Sequence, residues 1–322
     1  MIKRPFPDGI TVEEYLKRWI DLQGVLRKST VKNLIEYTKD ENTKKALTDL
    51  MLAKNRKKYI MMVKQKYGLI DILTEFNIKL KLEELIDIGS HIQPRYYTIA
   101  SSSKKDASRV AMCISLTIND LGDNKVKLGL ASNYLNEMFK DFKRSKKSVD
   151  NLLVNFQKSN FIIPSVNETS SICISTGAGF APFKAFIDEK RCEKNDSGVS
   201  KFGKMYIFFG CRDRDEDYIY KEDMMNANSD GTITALHEAF SREEEKKYYV
   251  QDILKFKPQL ITDILFKDNG IIYLCGNTGM SKNIKECIKN AVADYFKKDY
   301  EESEEIYKSL LDKKRICVEA WG

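Results

Sequence analysis

The sequence predicts an α/β protein of three consecutive parts: a helical part, a short antiparallel β part and a doubly wound parallel α/β domain. Up to about residue 88 the apolar residues recur with helical spacing, and from about residue 89 short β-rich runs alternate with turn residues. After residue 165, short and largely apolar strands are separated by helical stretches, which is typical of a parallel sheet covered on both faces. We therefore interpret residues 1–88, 89–165 and 166–322 as three domains.

The composition excludes several classes of protein. A hydrophobic share of 42% and a charged share of 31% are ordinary for a globular protein. The net charge of +7 is modest and the basic residues are interspersed with acidic ones, which argues against nucleic-acid binding. No apolar run reaches the roughly 20 residues that span a bilayer. We expect a soluble chain as given, and leave open whether a parent protein has a membrane tether.

The seven cysteines are dispersed and form no CxxC pair, and the only histidines are His91 and His237. These residues have no metal-ligand spacing, so we expect no metal site. An odd, dispersed set of thiols fits a reducing compartment. We expect an intracellular protein that faces the cytoplasm.

The helical part begins at "TVEEYLKRWI", where Thr11 and Glu14 have the spacing of a capping box. The stretch "KKALTDLMLAKNRKKYIMMVKQKYG" predicts a helix that ends at Gly68. We interpret its methionines Met51, Met61 and Met62 as core residues.

Four runs in the second part predict about three or four antiparallel strands: "RYYTIASSS", "RVAMCISLTI", "KVKLGLAS" and "FIIPS". So few strands leave an open edge, which would be exposed or paired elsewhere. The basic cluster from Lys140 to Lys147 is interpreted as a solvated loop.

The third part contains the predicted strands "SSICIST", "KMYIFFGCR", "ITALHEAFS" and "GIIYLCGN", with helices expected at 181–191, 249–256 and 280–297. In "SSICISTGAGFAPFKAF" a strand runs through a glycine turn into a helix, with Pro182 in its first turn. Such a turn allows close backbone approach, and the helix N-terminus attracts a pyrophosphate. This motif alone is a weak indication of nucleotide binding.

Small, basic or reactive residues follow the other predicted strands, namely Cys211-Arg212, Ser241-Arg242 and Cys275-Gly276. In a parallel sheet these strand ends share one edge, where ligands bind. In "AFSREEEKKYYVQD", an extended backbone would project Lys247, Tyr249 and Gln251 to one side. The alternative is a solvated strand edge. We favour a phosphate seat, for the 2′-phosphate of NADP, formed by Ser241, Arg242, Lys247 and Tyr249.

The order of "RYYTIASS", "GLAS", "TGAGFAPFKAF", "FFGCRDRDEDYIYKEDM", "AFSREEEKKYYVQD", "YLCGNTGM" and "EAWG" resembles the NADPH–cytochrome P450 reductase family of diflavin reductases, from about residue 4 onward. The resemblance implies a ferredoxin–NADP reductase-like architecture: an antiparallel FAD-binding barrel, an inserted helical connecting region and an NADP-binding α/β domain. It also implies electron flow from NADPH to FAD, then to FMN and to an acceptor protein.

The resemblance assigns site residues by position. Those implied for FAD are Arg95, Tyr97, Thr98, Gly129, Leu130, Ala131, Ser132 and Trp321. Those implied for NADP are Gly177, Ala178, Cys211, Arg212, Ser241, Arg242, Lys247, Tyr249, Gln251, Asn277 and Met280. Thr98, Cys275, Glu319 and Trp321 are implied in hydride transfer, where a carboxylate stabilises the positive charge that develops on the nicotinamide.

Several positions depart from the family pattern. Ala178 stands where the family usually has Thr, and Asn277 stands where it has Asp. Thr98 and Glu319 replace Ser and Asp and keep the same chemistry. These differences put the rate of hydride transfer in doubt more than NADPH binding.

By resemblance the chain starts within the connecting region, so we expect the FMN domain and the first barrel strands to be missing. We therefore expect weak or absent FAD binding and an intact NADP site. The expected partners are the FMN domain of a parent protein and a downstream acceptor protein. The alternatives are the same module in a pyruvate:NADP oxidoreductase, a sulfite reductase flavoprotein or a reductase of iron–sulfur assembly, or a non-catalytic NADP-binding fragment.

Overall fold

The computed structural model describes residues 6–122, 124–145, 152–159, 161–162, 168–196 and 202–321. The chain divides into two compact units. The helical unit comprises Met1–Tyr96 and Leu116–Asp150, and the α/β unit comprises Tyr97–Ser115 and Asn151–Gly322. The three sequence domains at 1–88, 89–165 and 166–322 remain an interpretation.

Six helices form the first part of the helical unit: α1 (Val12–Arg18), α2 (Lys28–Tyr37), α3 (Glu41–Met51), α4 (Arg56–Lys64), α5 (Leu69–Glu75) and α6 (Leu82–Ile88). Thr11 caps α1 by accepting a hydrogen bond from the Glu14 N–H at 3.1 Å, as its sequence position predicts. Leu34, Leu47 and Ile72 are fully buried and form the centre of a core between these helices.

The single long helix expected up to Gly68 is wrong. The chain breaks after Met51, passes through a 3₁₀ turn at Ala53–Asn55 and re-enters a helix at Arg56. Gly68 has a φ of −114° and caps the start of α5 instead of ending a helix. It is a glycine because a Cβ there would lie 3.0 Å from the backbone carbonyl carbon of Gln23.

The methionine prediction holds only in part. Met62 is buried and Met51 packs against the core, whereas 59% of Met61 is exposed. Met61 and Met62 are neighbours on a helix and therefore point about 100° apart, so only one of them faces the core.

Residues 116–145 form a two-stranded antiparallel sheet and a helix. The elements are β1 (Ile118–Asp120), β2 (Val126–Leu128) and α7 (Leu130–Ser145). The expected three or four strands are thus too many for the described residues, where two short strands and an isolated bridge between Ile99 and Met112 are found. The run "FIIPS" is described only at 161–162, which are not in a strand, and the rest lies outside the described residues.

The solvated loop expected at Lys140–Lys147 is also wrong where it is described, because residues 140–145 are helical. Leu130, Tyr134, Met138 and Phe142 recur every four residues, which is a helical spacing. The basic residues are exposed on this helix, while Lys146 and Lys147 lie outside the described residues.

The α/β unit contains a five-stranded parallel sheet with the order β5-β4-β3-β6-β7. Its strands are β3 (Ser171–Thr176), β4 (Met205–Cys211), β5 (Ala235–Phe240), β6 (Ile271–Asn277) and β7 (Ile316–Trp321). Its helices are α8 (Ala181–Asp196), α9 (Lys221–Ser229), α10 (Val250–Lys255), α11 (Pro258–Thr262), α12 (Thr278–Phe296) and α13 (Tyr300–Asp312), with a π-helical turn at Asp263–Lys267. The predicted α/β fold is confirmed; α9, α11, α13 and β7 were not predicted.

Apolar residues cover both faces of this sheet, as a parallel sheet requires. One face packs Ile174 and Leu274 against α10, α12 and α13. The other packs Phe209 against Phe180 and Phe183, which belong to the segment that follows β3. The two cores cover the faces of the sheet and not the carboxyl ends of its strands. Polar residues lie at that edge.

The strand order places a topological switch point between β3 and β6. From β3 the chain proceeds to β4 and β5 on one side, and then crosses to β6 and β7 on the other. Ligands of doubly wound sheets bind in the crevice at such a point. Among the described residues, no helix is long and apolar enough to cross a membrane.

Candidate functional site

The turn after β3 lies at the switch point and is shaped by glycine. Gly177 has a φ of +49°, in the left-handed region that favours glycine, and it begins a 3₁₀ turn from Gly177 to Phe180. This turn leads directly into α8, where Ala181 donates its N–H to the Ala178 carbonyl and Pro182 has no N–H. The N–H groups available at this helix start are therefore those of the 3₁₀ turn itself, beginning at Gly177. Such a turn fits a nucleotide phosphate.

Gly179 allows the turn to approach β6. A Cβ at Gly179 would lie 2.2 Å from the Cys275 carbonyl oxygen and 3.1 Å from Cη2 of Trp321. Both distances are shorter than an ordinary carbon contact. The glycine therefore brings the turn, Cys275 and the Trp321 indole together, although the sequence analysis did not single out this residue.

Glu319 on β7 accepts two hydroxyl hydrogen bonds, one on each carboxylate oxygen. Thr98 Oγ1 donates to Oε2 at 3.0 Å, and Ser159 Oγ donates to Oε1 at 2.6 Å. The structure thus brings Thr98 and Glu319 together. Ser159 was missed by sequence reasoning, because its serine has no neighbouring residue pattern that indicates a role.

Cys275 completes this group. In the parallel register of β6 and β7, Cys275 is paired with Glu319, and the Cys275 side chain is fully buried. Burial, with the Glu319 charge nearby, raises the pKa of the Cys275 thiol. The thiol is therefore neutral at physiological pH and is not a nucleophile. On the neighbouring strand, the buried Ser175 hydroxyl has no hydrogen-bond partner among the described residues.

Two segments hold the hydroxyls in place. The segment with Thr98 is attached to α8 by the ion pair of Lys105 with the buried Asp188, at 3.0 Å. The segment with Ser159 is fixed by the Tyr273 hydroxyl, which donates to the Ile162 carbonyl at 2.8 Å. The Phe161 N–H also donates to Ser159 Oγ at 2.9 Å, which orients that hydroxyl.

The carboxyl ends of β4 and β5 carry the predicted phosphate seat. Ser241 N–H donates to the Cys211 carbonyl at 3.1 Å, and Arg242 N–H donates to the Arg212 carbonyl at 2.9 Å. These bonds extend the strand pairing beyond Phe240. Arg212 and Arg242 are both exposed, so their guanidinium groups are available to an anion.

The extended backbone expected through Lys247, Tyr249 and Gln251 is wrong, whereas the helix expected at 249–256 is confirmed as α10. Residues 241–249 are irregular, Tyr249 caps α10, and Gln251 lies in the first turn of that helix. The Asp252 carboxylate accepts from the Tyr249 N–H at 3.0 Å, which starts the helix and ends the period-two alternation. Lys247 and Tyr249 remain exposed, whereas Gln251 is buried.

Asn277 and Met280 occupy the start of α12. The Asn277 side-chain oxygen accepts from the Met280 N–H at 2.8 Å and caps the helix. Met280 is buried beside Gly276, where a Cβ would lie 2.5 Å from the Met280 methyl carbon. Asn277 is itself exposed, so it reaches the edge of the crevice as a neutral group.

The residues implied for FAD are divided between the two units. In the helical unit, Arg95 is exposed, and Gly129 donates its N–H to the Thr117 carbonyl at 2.8 Å just before α7. Leu130 and Ala131 open that helix, and the Ser132 hydroxyl accepts from the Thr117 N–H at 3.0 Å. A helix start of this kind fits a phosphate. Tyr97, which is partly buried, and the exposed Trp321 belong to the α/β unit.

Comparison with known proteins finds two family models along the chain. An FAD-binding domain matches residues 1–134, and an oxidoreductase NAD-binding domain matches residues 173–286. Among curated relatives, the NADPH–cytochrome P450 reductases of Cavia porcellus and Homo sapiens are each 26% identical over 325 residues, and that of Musca domestica is 28% identical over 328 residues. Each match covers 99% of this chain and 47% of the relative. The chain matches the FAD- and NADP-binding portion of the NADPH–cytochrome P450 reductase family.

The resemblance drawn from the sequence motifs is thereby confirmed, as is the expectation of FAD- and NADP-binding domains. The chain spans about half the length of the curated relatives that it matches. The glycine turn at the switch point, the exposed arginines beyond β4 and β5 and the helix start at Gly129 are the described groups that fit phosphates of the two cofactors. Within the described residues, no cluster of three or more His, Cys, Asp or Glu side chains fits a metal ion.

Proposed function

We propose that this chain is an NADPH-dependent flavoprotein reductase module, which transfers hydride from NADPH to FAD for onward electron transfer through FMN to an acceptor protein. The observation that carries the proposal is the convergence of Thr98, Cys275 and Glu319 beside the Gly177 turn at the switch point. A charged carboxylate held by hydroxyls beside a nucleotide-binding turn supports hydride chemistry at this edge of the sheet.

The cofactors supply the hydride donor and acceptor when they are bound. The protein contributes position and charge. Thr98 and Ser159 hold both oxygens of Glu319, whose carboxylate would stabilise positive charge on a bound nicotinamide. Cys275 contributes a neutral, buried thiol whose place is fixed by the strand register. Trp321, on the same strand as Glu319, would offer an aromatic face to a bound flavin.

The NADP end of the site recognises the 2′-phosphate through Ser241, Arg242, Lys247 and Tyr249. These residues lie in a turn and at the start of a helix, and not along one face of a strand. Backbone hydrogen bonds fix Ser241 and Arg242. Charge-assisted hydrogen bonds to the phosphate give NADPH its preference over NADH. The rest of the proposed NADP site consists of Gly177, Ala178, Cys211, Arg212, Gln251, Asn277 and Met280.

The residues proposed for FAD are Arg95 and residues 129–132 in the helical unit, and Tyr97, Thr98 and Trp321 in the α/β unit. The described residues supply only two strands of three residues each to a flavin-binding sheet. We therefore keep the prediction that this chain alone binds FAD weakly or not at all. The helical region, the partial barrel and the α/β domain divide at about residues 88 and 165.

The proposed partners are an FMN domain and a downstream acceptor protein. The proposed location of the protein is intracellular, facing the cytoplasm. The seven cysteines are all free, which agrees with a reducing compartment. The same module within a pyruvate:NADP oxidoreductase or a sulfite reductase flavoprotein would use the same residues with a different acceptor.

A non-catalytic NADP-binding module is the second candidate. It is favoured by Ala178, which removes a hydroxyl from the turn at the switch point, and by the two short strands. The two candidates differ in turnover: after FAD is added, stopped-flow absorbance should show flavin reduction by NADPH if the chain is a reductase. Tight NADPH binding without reduction would favour the binding module.

The phosphate seat is tested by calorimetric binding of 2′-AMP and 5′-AMP to the purified chain. We expect a clear preference for 2′-AMP, and we expect Arg242→Ala to lower 2′-AMP affinity by about tenfold or more while 5′-AMP changes by less than about twofold. Arg191→Ala is the matched control, because Arg191 pairs with Asp230 at 3.0 Å and is not part of the proposed site. An equal loss for both nucleotides would reject the 2′-phosphate assignment.

A further inference from the structure

An arginine-carboxylate pair joins the loops that follow β4 and β5. Glu243 directly follows Arg242 and accepts three hydrogen bonds from Arg214. Its Oε1 accepts from the Arg214 backbone N–H at 3.0 Å and from Nε at 2.9 Å, and its Oε2 accepts from Nη2 at 2.9 Å. This bidentate geometry with an added backbone donor fixes the carboxylate more firmly than a single surface ion pair does.

The surroundings hold Arg214 in the same position. Its guanidinium carbon lies 4.6 Å from the centre of the Phe240 ring, and its carbonyl accepts from Lys221 Nζ at 3.4 Å. The loop from Arg212 is itself tightly bent, because the Asp217 carboxylate accepts from the Arg212 and Asp213 N–H groups at 2.8 Å. Arg214 therefore lies on a fixed loop beside the Ser241-Arg242 turn.

The charges at this place have opposing effects on an anion. A carboxylate next to Arg242 would repel a phosphate dianion, and within roughly 8 Å this repulsion in water lowers affinity by about fivefold at low salt. The hydrogen bonds and charge of Arg214 lower the pKa of Glu243, so the carboxylate is ionised and needs a counter-charge at neutral pH. Arg214 provides that charge and turns the carboxylate towards the loop after β4.

We propose that the Arg214–Glu243 pair positions the phosphate seat and determines its specificity. Arg214 neutralises the Glu243 carboxylate and holds it in place, so that Ser241 and Arg242 can bind a 2′-phosphate. The inference rests on the proposed function, since it concerns the same seat. It assigns a role to two residues that do not themselves need to contact the nucleotide.

The test is calorimetric binding of 2′-AMP and 5′-AMP at low salt to the full chain and a set of variants. Arg214→Ala leaves Glu243 without its counter-charge, so we expect 2′-AMP affinity to fall about fivefold while 5′-AMP affinity stays within about twofold. In the double variant Arg214→Ala/Glu243→Gln the repelling charge is also gone, so 2′-AMP affinity should return to within about twofold of the wild type. Arg191→Ala, which breaks a surface pair outside the seat, should change neither affinity.

The single variant Glu243→Gln gives an expected effect of opposite sign. It leaves the Arg214 charge uncompensated beside the seat, so 2′-AMP should bind more tightly and 5′-AMP should be unaffected. A purely structural pair would instead weaken binding when either partner is changed. This variant also keeps the inference testable if Arg214→Ala does not fold, which thermal unfolding followed by circular dichroism would reveal.

The outcomes separate the two proposals. If the wild type prefers 2′-AMP but Arg214→Ala binds it equally well, the role of the pair is rejected and the proposed NADP site stands. If Arg214→Ala weakens 2′-AMP binding and the double variant does not recover it, Arg214 contacts the phosphate directly and the neutralising role is rejected. If the wild type shows no preference for 2′-AMP, the phosphate seat and this inference both fail.

Discussion

The Thr98 hydroxyl donates a hydrogen bond of 3.0 Å to Oε2 of Glu319, and the two residues are 221 positions apart in the sequence. This contact brings a residue of the segment before α7 onto the strand at one edge of the parallel sheet. With Ser159 on the other oxygen at 2.6 Å, both carboxylate oxygens of Glu319 have a fixed direction. An oriented carboxylate stabilises a developing positive charge without reorganising during the reaction.

Glu319→Gln should slow hydride transfer. The amide keeps the size of the side chain but removes the negative charge, so we expect the rate of flavin reduction by NADPH to fall by about 10- to 100-fold. Stopped-flow absorbance of the FAD-supplemented protein measures this rate. Glu305→Gln changes an exposed carboxylate on α13 and serves as the control. An unchanged rate in Glu319→Gln would show that its charge does not act on the reaction.

Ser159→Ala should have a smaller effect on the same rate. It removes one hydrogen bond from Glu319 and leaves the charge in place, so we expect a loss of about two- to tenfold, on the order of 1 kcal/mol. The affinity for 2′-AMP should not change, because the phosphate seat lies in the segment between β5 and α10. Ser229→Ala, at an exposed serine of α9, is the control. A loss of 2′-AMP binding in Ser159→Ala would instead indicate that the variant disturbs the whole unit.

Gly179→Ala should destabilise the α/β unit. The added methyl group would lie 2.2 Å from the Cys275 carbonyl oxygen, so the turn or β6 must shift. We expect a loss of about 1–3 kcal/mol in the free energy of unfolding, measured by urea denaturation. The control is Gly279→Ala in the first turn of α12, where the nearest atom to an added Cβ is a side-chain oxygen at 3.2 Å. Equal stability of the two variants would contradict the close approach at Gly179.

The buried Lys190 should make the stability of the protein rise with pH in the alkaline range. Its ammonium group is buried and donates to the Gly203 carbonyl at 2.7 Å, and burial lowers the pKa of Lys190 to about 8 from its usual 10.5. Between these two values the unfolded chain binds more protons than the folded chain. The contribution of Lys190 to stability should therefore rise with pH across this window, by on the order of 2 kcal/mol.

Lys190→Met tests this sign. Burial raises the pKa of the Cys173 and Cys317 thiols above their usual 9.0, so they also bind protons differently in the folded and unfolded chain, and the difference between wild type and variant is the quantity to follow. Urea unfolding at pH 8, 9 and 10 should show the stability of the wild type rising relative to Lys190→Met. Parallel curves would mean that Lys190 titrates at its ordinary pKa in the folded protein.

The purified chain should contain little FAD. We expect the purified chain to have little absorbance near 450 nm and a weak response to added FAD. The two three-residue strands among the described residues offer little of a flavin-binding sheet. Stoichiometric FAD in the purified protein, measured by absorbance after heat release, would disprove the prediction.

The sequence predicted those features that depend on local pattern. Gly177 and Cys275 could be assigned to one edge of the sheet because parallel strands end together, and their strands were recognised from apolar runs. The Thr11 cap depended on two residues three positions apart. In each case the information lies within a short stretch of the chain.

Features that depend on tertiary contacts were missed or misread. Ser159 and Arg214 acquire their roles from partners 160 and 29 positions away, which no local pattern indicates. The alternation of side chains at Lys247, Tyr249 and Gln251 suggested an extended backbone. In the structure the Asp252 carboxylate accepts a hydrogen bond from the Tyr249 N–H, and a helix begins there. Helix α7 was overlooked because its basic residues were taken for a loop, although its apolar residues have helical spacing.

Glu319 and Trp321 share β7, which lies at the end of the strand order and pairs with β6. Edge strands detach from a sheet more readily than central ones, so local opening at this border costs less free energy than global unfolding. Such opening would withdraw the carboxylate and the indole in one event, separately from the phosphate seat, which follows β5 at the opposite edge of the sheet. Opening of β7 alone would therefore stop turnover and leave nucleotide binding at the opposite edge unchanged.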